Sequence, residues 1–218
     1  GAADEEAEAA AAAKADGGGP TAAALAAWGA LRQLMRSVEP YCHPSNVGGY
    51  SAAIGYLIQA LAQFMSWRRL LEGGGSHAAA AGPLLPDDDG AFVRLMLPHT
   101  VLALYAKNPL LSRMAQSAAK YLGALRPELV LPALSERLAD GLLAVTATHQ
   151  TATAMQTLSV LAPPMLTLCP AAGEGWGAGW GAGWAGGPRA MRDLLELALP
   201  GIDANDPEKM GSTLRFVE

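Results

Sequence analysis

The sequence predicts an all-α fold, and three observations support this prediction. Alanine and leucine, two strong helix formers, supply 45 and 32 of the 218 residues. Valine and isoleucine are scarce, whereas the strands of a sandwich, a barrel or a doubly wound sheet draw on β-branched side chains. Apolar residues also recur at helical spacing, and a pattern of paired helices repeats along the chain.

Composition and charge disfavour several classes of protein. Two cysteines without C-x-x-C spacing provide neither a disulfide framework nor a zinc site, which favours a reducing compartment. A net charge of −5 with no basic tract argues against a nucleic-acid surface. The N-terminus lacks the pattern of a signal peptide, and no stretch is apolar enough for a membrane span. The chain begins with Gly1 and ends inside an apolar pattern, so we expect a fragment of a longer protein.

Residues 1–72 divide into an N-terminal linker and a helix pair. Residues 1–20 are acidic and alanine-rich and end in three glycines, which predicts a disordered linker. Residues 21–72 predict two helices: the first is capped by Thr21 and ends at Pro40, and the second begins at Ser51. The predicted apolar faces consist of Leu25, Trp28, Leu31, Leu34 and Met35 in the first helix and Ile54, Leu57, Ile58, Leu61, Phe64 and Met65 in the second.

Two further segments have the composition of linkers. Residues 73–90 are rich in glycine and alanine and close with three aspartates at 87–89, which we interpret as the solvated start of a helix. Residues 169–188 form a low-complexity insertion of glycine and tryptophan. Its Trp176, Trp180 and Trp184 have helical spacing, but the intervening glycines disfavour a helix, so a flexible insertion is predicted. A partner-binding role for these tryptophans is the alternative.

The architecture is predicted by a repeat within residues 91–168, where segments 92–125 and 128–166 superpose as two helix pairs. Each pair carries an apolar-x-apolar-Pro signature, which ends at Pro98 in the first and at Pro132 in the second, with each proline expected in the early turns. A third signature ends at Pro200, so residues 189–218 predict the start of a further, truncated pair. Stacked pairs that bury a continuous seam indicate a HEAT-like α-solenoid of antiparallel helix pairs, with few pockets.

The residues that could support catalysis or bind a metal do not form an enzyme site in the sequence. Cys42 and His43 are adjacent, but neighbouring side chains usually point apart, so a buried structural cysteine is preferred to a thiol–imidazole pair. His77, His99 and His149 lie on separate segments, without metal-ligand spacing, and are expected on surfaces or helix faces. Phosphate loops, nucleophile elbows and paired carboxylates are also missing from the sequence. No catalytic residue, metal site or cofactor is therefore predicted.

Residues 201–207 cluster three oxygen-bearing side chains, which could suggest a calcium loop. The glycine and the distant glutamate of an EF-hand are absent. We therefore predict an interhelical turn in which Asp203 or Asn205 forms an Asx turn and Asp206 caps a helix opened by Pro207.

Four stretches, in order along the chain, carry recognisable motifs: residues 38–46 with the helix after them, residues 92–107, residues 118–132, and residues 199–216. Together they resemble the large monomeric HEAT-repeat proteasome activators, the proteasome activator subunit 4 family. The resemblance places the chain in the middle HEAT-repeat region of the family. The signature positions, which we interpret as structural, are Pro40, Tyr41, His43, Pro44, Ser45, Asn46, Arg126, Pro127, Glu128, Pro132, Pro200, Gly201, Asp203, Asn205 and Asp206.

The resemblance implies a non-catalytic solenoid that caps the proteasome core particle and promotes ATP- and ubiquitin-independent degradation. Peptides and unfolded or acetylated proteins, including histones, are the implied substrates, in the nucleus and the cytoplasm, with a link to DNA repair. No cofactor, direct nucleic-acid contact or membrane contact is implied. The family docks through a C-terminal motif with a penultimate tyrosine, which the ending Phe216-Val217-Glu218 lacks, so docking is expected outside these residues. For the family's inositol-phosphate sites, we identify no clustered lysines and arginines.

Two alternatives remain at the level of the sequence. Another HEAT or armadillo scaffold, such as a transport receptor or a phosphatase scaffold, is the first; such proteins usually show an asparagine or tryptophan ladder or an acidic inner face, and the sequence shows neither. A cysteine-dependent enzyme built on Cys42 is the second.

Overall fold

A computed structural model describes residues 22–73, 87–143, 148–168 and 187–217. Within these ranges all regular structure is helical, which confirms the predicted all-α fold. The helices are α1 (Ala22–Cys42), α2 (Ser51–Gly73), α3 (Asp88–Leu104), α4 (Pro109–Leu125), α5 (Pro127–Leu143), α6 (Thr148–Thr167), α7 (Gly187–Ala198) and α8 (Pro207–Val217), with a 3-10 turn at Leu199–Gly201. None of the described helices is long and apolar enough to cross a bilayer.

The chain divides between Ser37 and Val38 into two compact units. Helix α1 continues two residues beyond Pro40, because a proline near a C-terminus removes only one hydrogen bond of the last turn. Its buried side chains, Met35, Val38 and Cys42, share one narrow face. Leu25 and Leu34 are exposed, so the predicted apolar face was too wide. The predicted linker at residues 1–20 and the Thr21 cap lie outside the described residues.

Helix α2 begins at Ser51 as predicted, but it buries a different stripe from the one its apolar pattern suggested. Phe64 is 64% exposed, whereas the small residues Gly55 and Ala62 are buried on the face that carries Ile58. A Cβ atom on Gly55 would lie only 3.2 Å from Leu111 Cδ1 and Met114 Cβ. Close approach of the α2 and α4 backbones therefore takes precedence over burial of the largest apolar side chain.

The unit from Val38 onward is built as two layers of helices. One layer contains α2, α4, α6 and α8, each packed against the next, and the other contains α3, α5 and α7. The connection from α3 to α4 is short, and Arg126 alone separates α4 from α5. This alternation confirms the HEAT-like α-solenoid.

The structural period of the repeat is the shift that carries α3 onto α5 and α4 onto α6. It takes Asp88 to Pro127 at the starts of the first two helices, and Pro109 to Thr148 at the starts of the second two. The superposition on the proline signatures relates Pro98 to Pro132, a shift that is shorter than the structural period, so the predicted superposition was out of register. Ser112 and Thr151 are related by the structural period, and each donates a hydrogen bond to a carbonyl near the end of the preceding helix: Ser112 to Leu104 O at 2.6 Å and Thr151 to Gly141 O at 3.3 Å.

The three signature prolines consequently occupy different places in their helices. Pro132 lies in the early turns of α5, as predicted. Pro98 lies in the second half of α3, which corrects its predicted position, and Pro200 lies in the 3-10 turn that follows α7. The shared sequence pattern thus marks apolar helix segments rather than equivalent positions in the repeat.

Helix α4 packs against four other helices and begins with a well-formed cap. Asn108 Oδ1 accepts hydrogen bonds from Leu110 N at 3.0 Å and Leu111 N at 3.3 Å, and Pro109 occupies the first helical position. The cap satisfies two backbone donors that would otherwise lack a helical partner.

Replacing Asn108 with alanine is expected to lower the free energy of unfolding by about 1 kcal/mol, because both donors lose their acceptor. Asn108→Asp keeps an acceptor oxygen and serves as the control, with a near-normal stability expected. Urea unfolding followed by circular dichroism measures both variants. Equal loss in the two variants would contradict the capping role.

Candidate interaction groove

The first signature stretch folds into a hydrogen-bonded turn between α1 and α2. Asn46 N donates to His43 O at 2.9 Å, and the Asn46 side chain accepts from Gly48 N at 2.9 Å and donates to Pro40 O at 3.4 Å. Ser45 N donates to His43 Nδ1 at 3.2 Å. Pro44 O accepts from Lys107 N at 3.1 Å and so joins this turn to the connection between α3 and α4. Tyr41 is 40% exposed.

The third stretch, residues 118–132, forms ion pairs at the start of α5. Arg126 Nε donates to the Glu128 carboxylate, and Arg126 Nη1 lies 3.6 Å from Asp87 Oδ1. The hydrogen bond to Glu128 raises the pKa of the Arg126 guanidinium above its usual range, so this group stays charged. Arg94 Nη2 lies 2.9 Å from Asp87 Oδ2. These contacts connect the beginnings of α3 and α5.

The acidic run is not uniformly solvated, which corrects the prediction for Asp89. This side chain is buried, and Arg69 Nε lies 2.6 Å from its Oδ2. Arg69 reaches it from the last turns of α2, and a buried carboxylate is tolerated when a guanidinium neutralises and hydrogen-bonds it. Asp87 remains 73% exposed.

The fourth stretch confirms the predicted turn and cap. Asn205 N donates to Asp203 Oδ1 at 2.9 Å, and Lys209 N donates to Asp206 Oδ1 at 3.0 Å at the start of α8, which Pro207 opens. Gly201 is buried in the preceding 3-10 turn. The structure places the signature residues in turns, caps, helix starts and an ion-pair cluster rather than in one common site.

Cys42 and His43 do not form a reactive pair. The Cys42 side chain is buried, and its Sγ lies 3.6 Å from Val38 O. Burial, with a smaller contribution from Glu39, raises the pKa of the thiol to about 11. His43 is exposed and accepts a hydrogen bond from Ser45 N. A neutral thiol without a base is a packing group.

Alkaline pH is expected to destabilise the protein through Cys42. The folded-state pKa of about 11 exceeds the model-compound value of 9.0, so stability is unaffected below about pH 9 and falls as the pH rises toward about 11. In a Cys169→Ala background, we expect Cys42 to react with iodoacetamide at pH 8 much more slowly in folded than in urea-unfolded protein. Equal rates would contradict the assignment of a protected thiol.

The other histidines occupy different environments. Of the two predicted places for His99, a surface or a helix face, the structure shows a buried face of α3, and its Nδ1 lies 3.0 Å from Leu95 O. Helix α3 contacts α2, α4 and α5, so it buries more of its circumference than a single stripe. His149 is exposed. His77 and Trp176, Trp180 and Trp184 lie outside the described residues, among which no cluster of three potential metal ligands occurs.

One feature that the sequence did not predict is a groove of about 680 Å³ along α4, α6 and α8, which we call the basic groove. Its lining includes the cations Lys107, Arg113 and Arg215, the carboxylate Glu208 and the imidazole of His149. Three permanent cations face one carboxylate, although the chain as a whole has a net charge of −5. A smaller cavity of about 310 Å³ shares Lys107 and His149 with this groove.

A row of hydrogen-bonded polar side chains, the glutamine ladder, crosses the three helices of the groove. Gln116 Nε2 lies 3.4 Å from Ser112 Oγ and 3.4 Å from Gln156 Oε1, and Gln156 Nε2 donates to Ser212 Oγ at 3.3 Å. The ladders expected in such scaffolds consist of asparagine or tryptophan, so the sequence did not predict one built from glutamine. The detectable signal was the spacing of Gln116 and Gln156, which nearly equals the structural period of the repeat.

Comparison with known proteins assigns the family. A family model described as "Proteasome activator complex subunit 4, mid HEAT repeats region" matches residues 31–218. The chain is 29% identical over 193 residues to proteasome activator subunit 4 of Arabidopsis thaliana, and 30% identical to proteasome activator complex subunit 4 of Homo sapiens. Each match covers 86% of this chain and 10% of the relative, so the chain spans about a tenth of the length of these curated relatives. Since the match extends over most of the two-layer solenoid, the chain belongs to the proteasome activator complex subunit 4 family, in its middle HEAT-repeat region.

Proposed function

We propose that this chain is a non-catalytic part of a protein that caps the proteasome core particle and promotes degradation without ATP or ubiquitin. The match of residues 31–218 to the family's middle HEAT repeats is the observation that carries this proposal. The relatives that cover 86% of the chain are named proteasome activators, which disfavours a transport receptor or a phosphatase scaffold. The protected thiol of Cys42 likewise disfavours a cysteine-dependent enzyme.

In this proposal the solenoid contributes shape and surface rather than chemistry. The signature residues stabilise turns and helix starts, so they fix how one helix pair follows the next. Peptides and unfolded or acetylated proteins, including histones, are the proposed substrates, and the nucleus and the cytoplasm are the proposed locations. Contacts with the core particle are proposed to come from regions outside this chain.

The test uses the longer protein that contains this segment. Purified protein is mixed with core particle in the absence of ATP, and hydrolysis of a fluorogenic peptide is measured together with co-sedimentation. We expect binding and faster hydrolysis. Failure to co-sediment, or unchanged hydrolysis by a folded preparation, would refute the proposal. The chain described here is the control and, by itself, is expected to leave hydrolysis unchanged.

A further inference from the structure

The basic groove has properties that the proposed activator function does not use. It runs across three successive helices of one layer, and its floor carries the glutamine ladder. Gln116 is buried and Gln156 half-buried, and both are among the residues that line the groove. A primary amide presents both a donor and an acceptor, which is what the main chain of an extended polypeptide requires.

The spacing of the ladder fits an extended chain. Packed helices lie about 8–10 Å apart, so the distance from α4 across α6 to α8 corresponds to roughly six residues at about 3.3–3.6 Å per residue. Elongated surfaces of solenoids commonly serve as binding faces for such ligands. The groove volume of about 680 Å³ lies within the range of roughly 300–1,000 Å³ typical of ligand sites.

The charges of the groove favour an acidic polypeptide over a neutral or basic one. Lys107 lies in the loop before α4, Arg113 on α4 and Arg215 in the last turn of α8, so the cations are distributed along the groove rather than gathered at one point. All three side chains are exposed, and Glu208 is the one carboxylate among the lining residues. A row of carboxylates complements this arrangement better than a single compact anion does.

From these observations we propose that the basic groove binds an extended, acidic polypeptide segment. The main-chain amides of the segment hydrogen-bond to Gln116 and Gln156, and its carboxylates pair with Lys107, Arg113 and Arg215. This binding is a property of the chain itself and does not depend on the core particle, so its failure is distinguishable from failure of the proposed activator function.

The test measures fluorescence anisotropy of a fluorescein-labelled peptide that alternates glutamate and serine over the length of the groove, titrated with the full chain. A peptide with lysine in place of glutamate is the matched probe. We expect saturable binding of the acidic peptide, weakening of this binding at higher salt, and no binding of the basic peptide. Absence of saturable binding by protein with a helical circular dichroism spectrum would overturn the proposal.

Two variants test separately the charge pairing and the hydrogen bonding to the glutamine ladder. Arg113→Gln is expected to weaken binding about 3- to 10-fold through lost charge, and Arg36→Gln on α1 is its control. Gln156→Met removes the amide while keeping an unbranched side chain and is expected to weaken binding about 3- to 10-fold, with Gln63→Met on α2 as its control. Circular dichroism shows whether each variant is folded.

Competition by a small anion distinguishes a polypeptide-binding groove from a general anion site. If Gln156→Met binds the peptide normally and tripolyphosphate at equal charge displaces the peptide completely, the groove is a general anion site and the peptide proposal is wrong. If the amide variant loses affinity and tripolyphosphate competes only weakly, the proposal holds, because only a polypeptide engages the ladder.

Discussion

Replacing Leu122 with alanine is expected to lower the free energy of unfolding by about 2–5 kcal/mol, the largest effect of the substitutions considered for this chain. Leu122 is completely buried in α4, the helix that packs against α2, α3, α5 and α6. The substitution removes most of the side chain from a position where helices from both layers meet, so the neighbouring side chains cannot all close the cavity.

Leu70→Ala on α2 is the matched control, because it deletes the same atoms from a side chain that is 71% exposed to solvent. We expect its stability to change by less than about 0.5 kcal/mol. Urea unfolding followed by helical circular dichroism gives both values. A loss below about 1 kcal/mol for Leu122→Ala would mean that α4 is not the centre of the packing.

Replacing Gly201 with alanine is expected to lower the free energy of unfolding by about 1–3 kcal/mol through overpacking. A Cβ atom at this position would clash with both Met155 Cε and Thr213 Oγ1. Met155 is flexible, but Thr213 is β-branched and stiff at χ1, and both side chains are fully buried. The 3-10 turn would have to move away from α6 and α8.

Gly211→Ala in α8 is the control for this prediction. Apart from the neighbouring residues and backbone of α8 itself, no heavy atom of the described residues lies within 4 Å of the added methyl group, so we expect only the gain from helix propensity, about 0.5–1 kcal/mol of added stability. The two substitutions should therefore have opposite signs in thermal unfolding. A stabilising Gly201→Ala would show that the signature glycine is not required by packing.

Local chemistry made part of this structure predictable from the sequence. The Asx turn at Asp203 and the cap at Asp206 depend on neighbouring residues, and both are present as predicted. The all-α fold follows from composition, because Ala and Leu leave few residues suited to strands. These features need no knowledge of distant contacts.

Features that depend on partners from distant segments were missed. Asp89 is buried against Arg69, which reaches it from another helix, and Gly55 rather than Phe64 lies on the face of α2 that packs against α4. The basic groove combines residues from Lys107 to Arg215, and the glutamine ladder depends on a structural period that the proline signatures obscured. Periodicity along one helix contains no information about which neighbour that helix meets.

The two-layer arrangement also has a consequence for the rate of folding. From α2 onward, the principal contacts join helices that are at most two positions apart along the chain, as in α4 with α6. Native contacts are therefore local in sequence, and folding requires little closure of long loops. We expect rapid refolding after dilution from denaturant, with the slowest amide exchange in α4 and α6, whose neighbours lie on both sides, and progressively faster exchange toward either end of the stack.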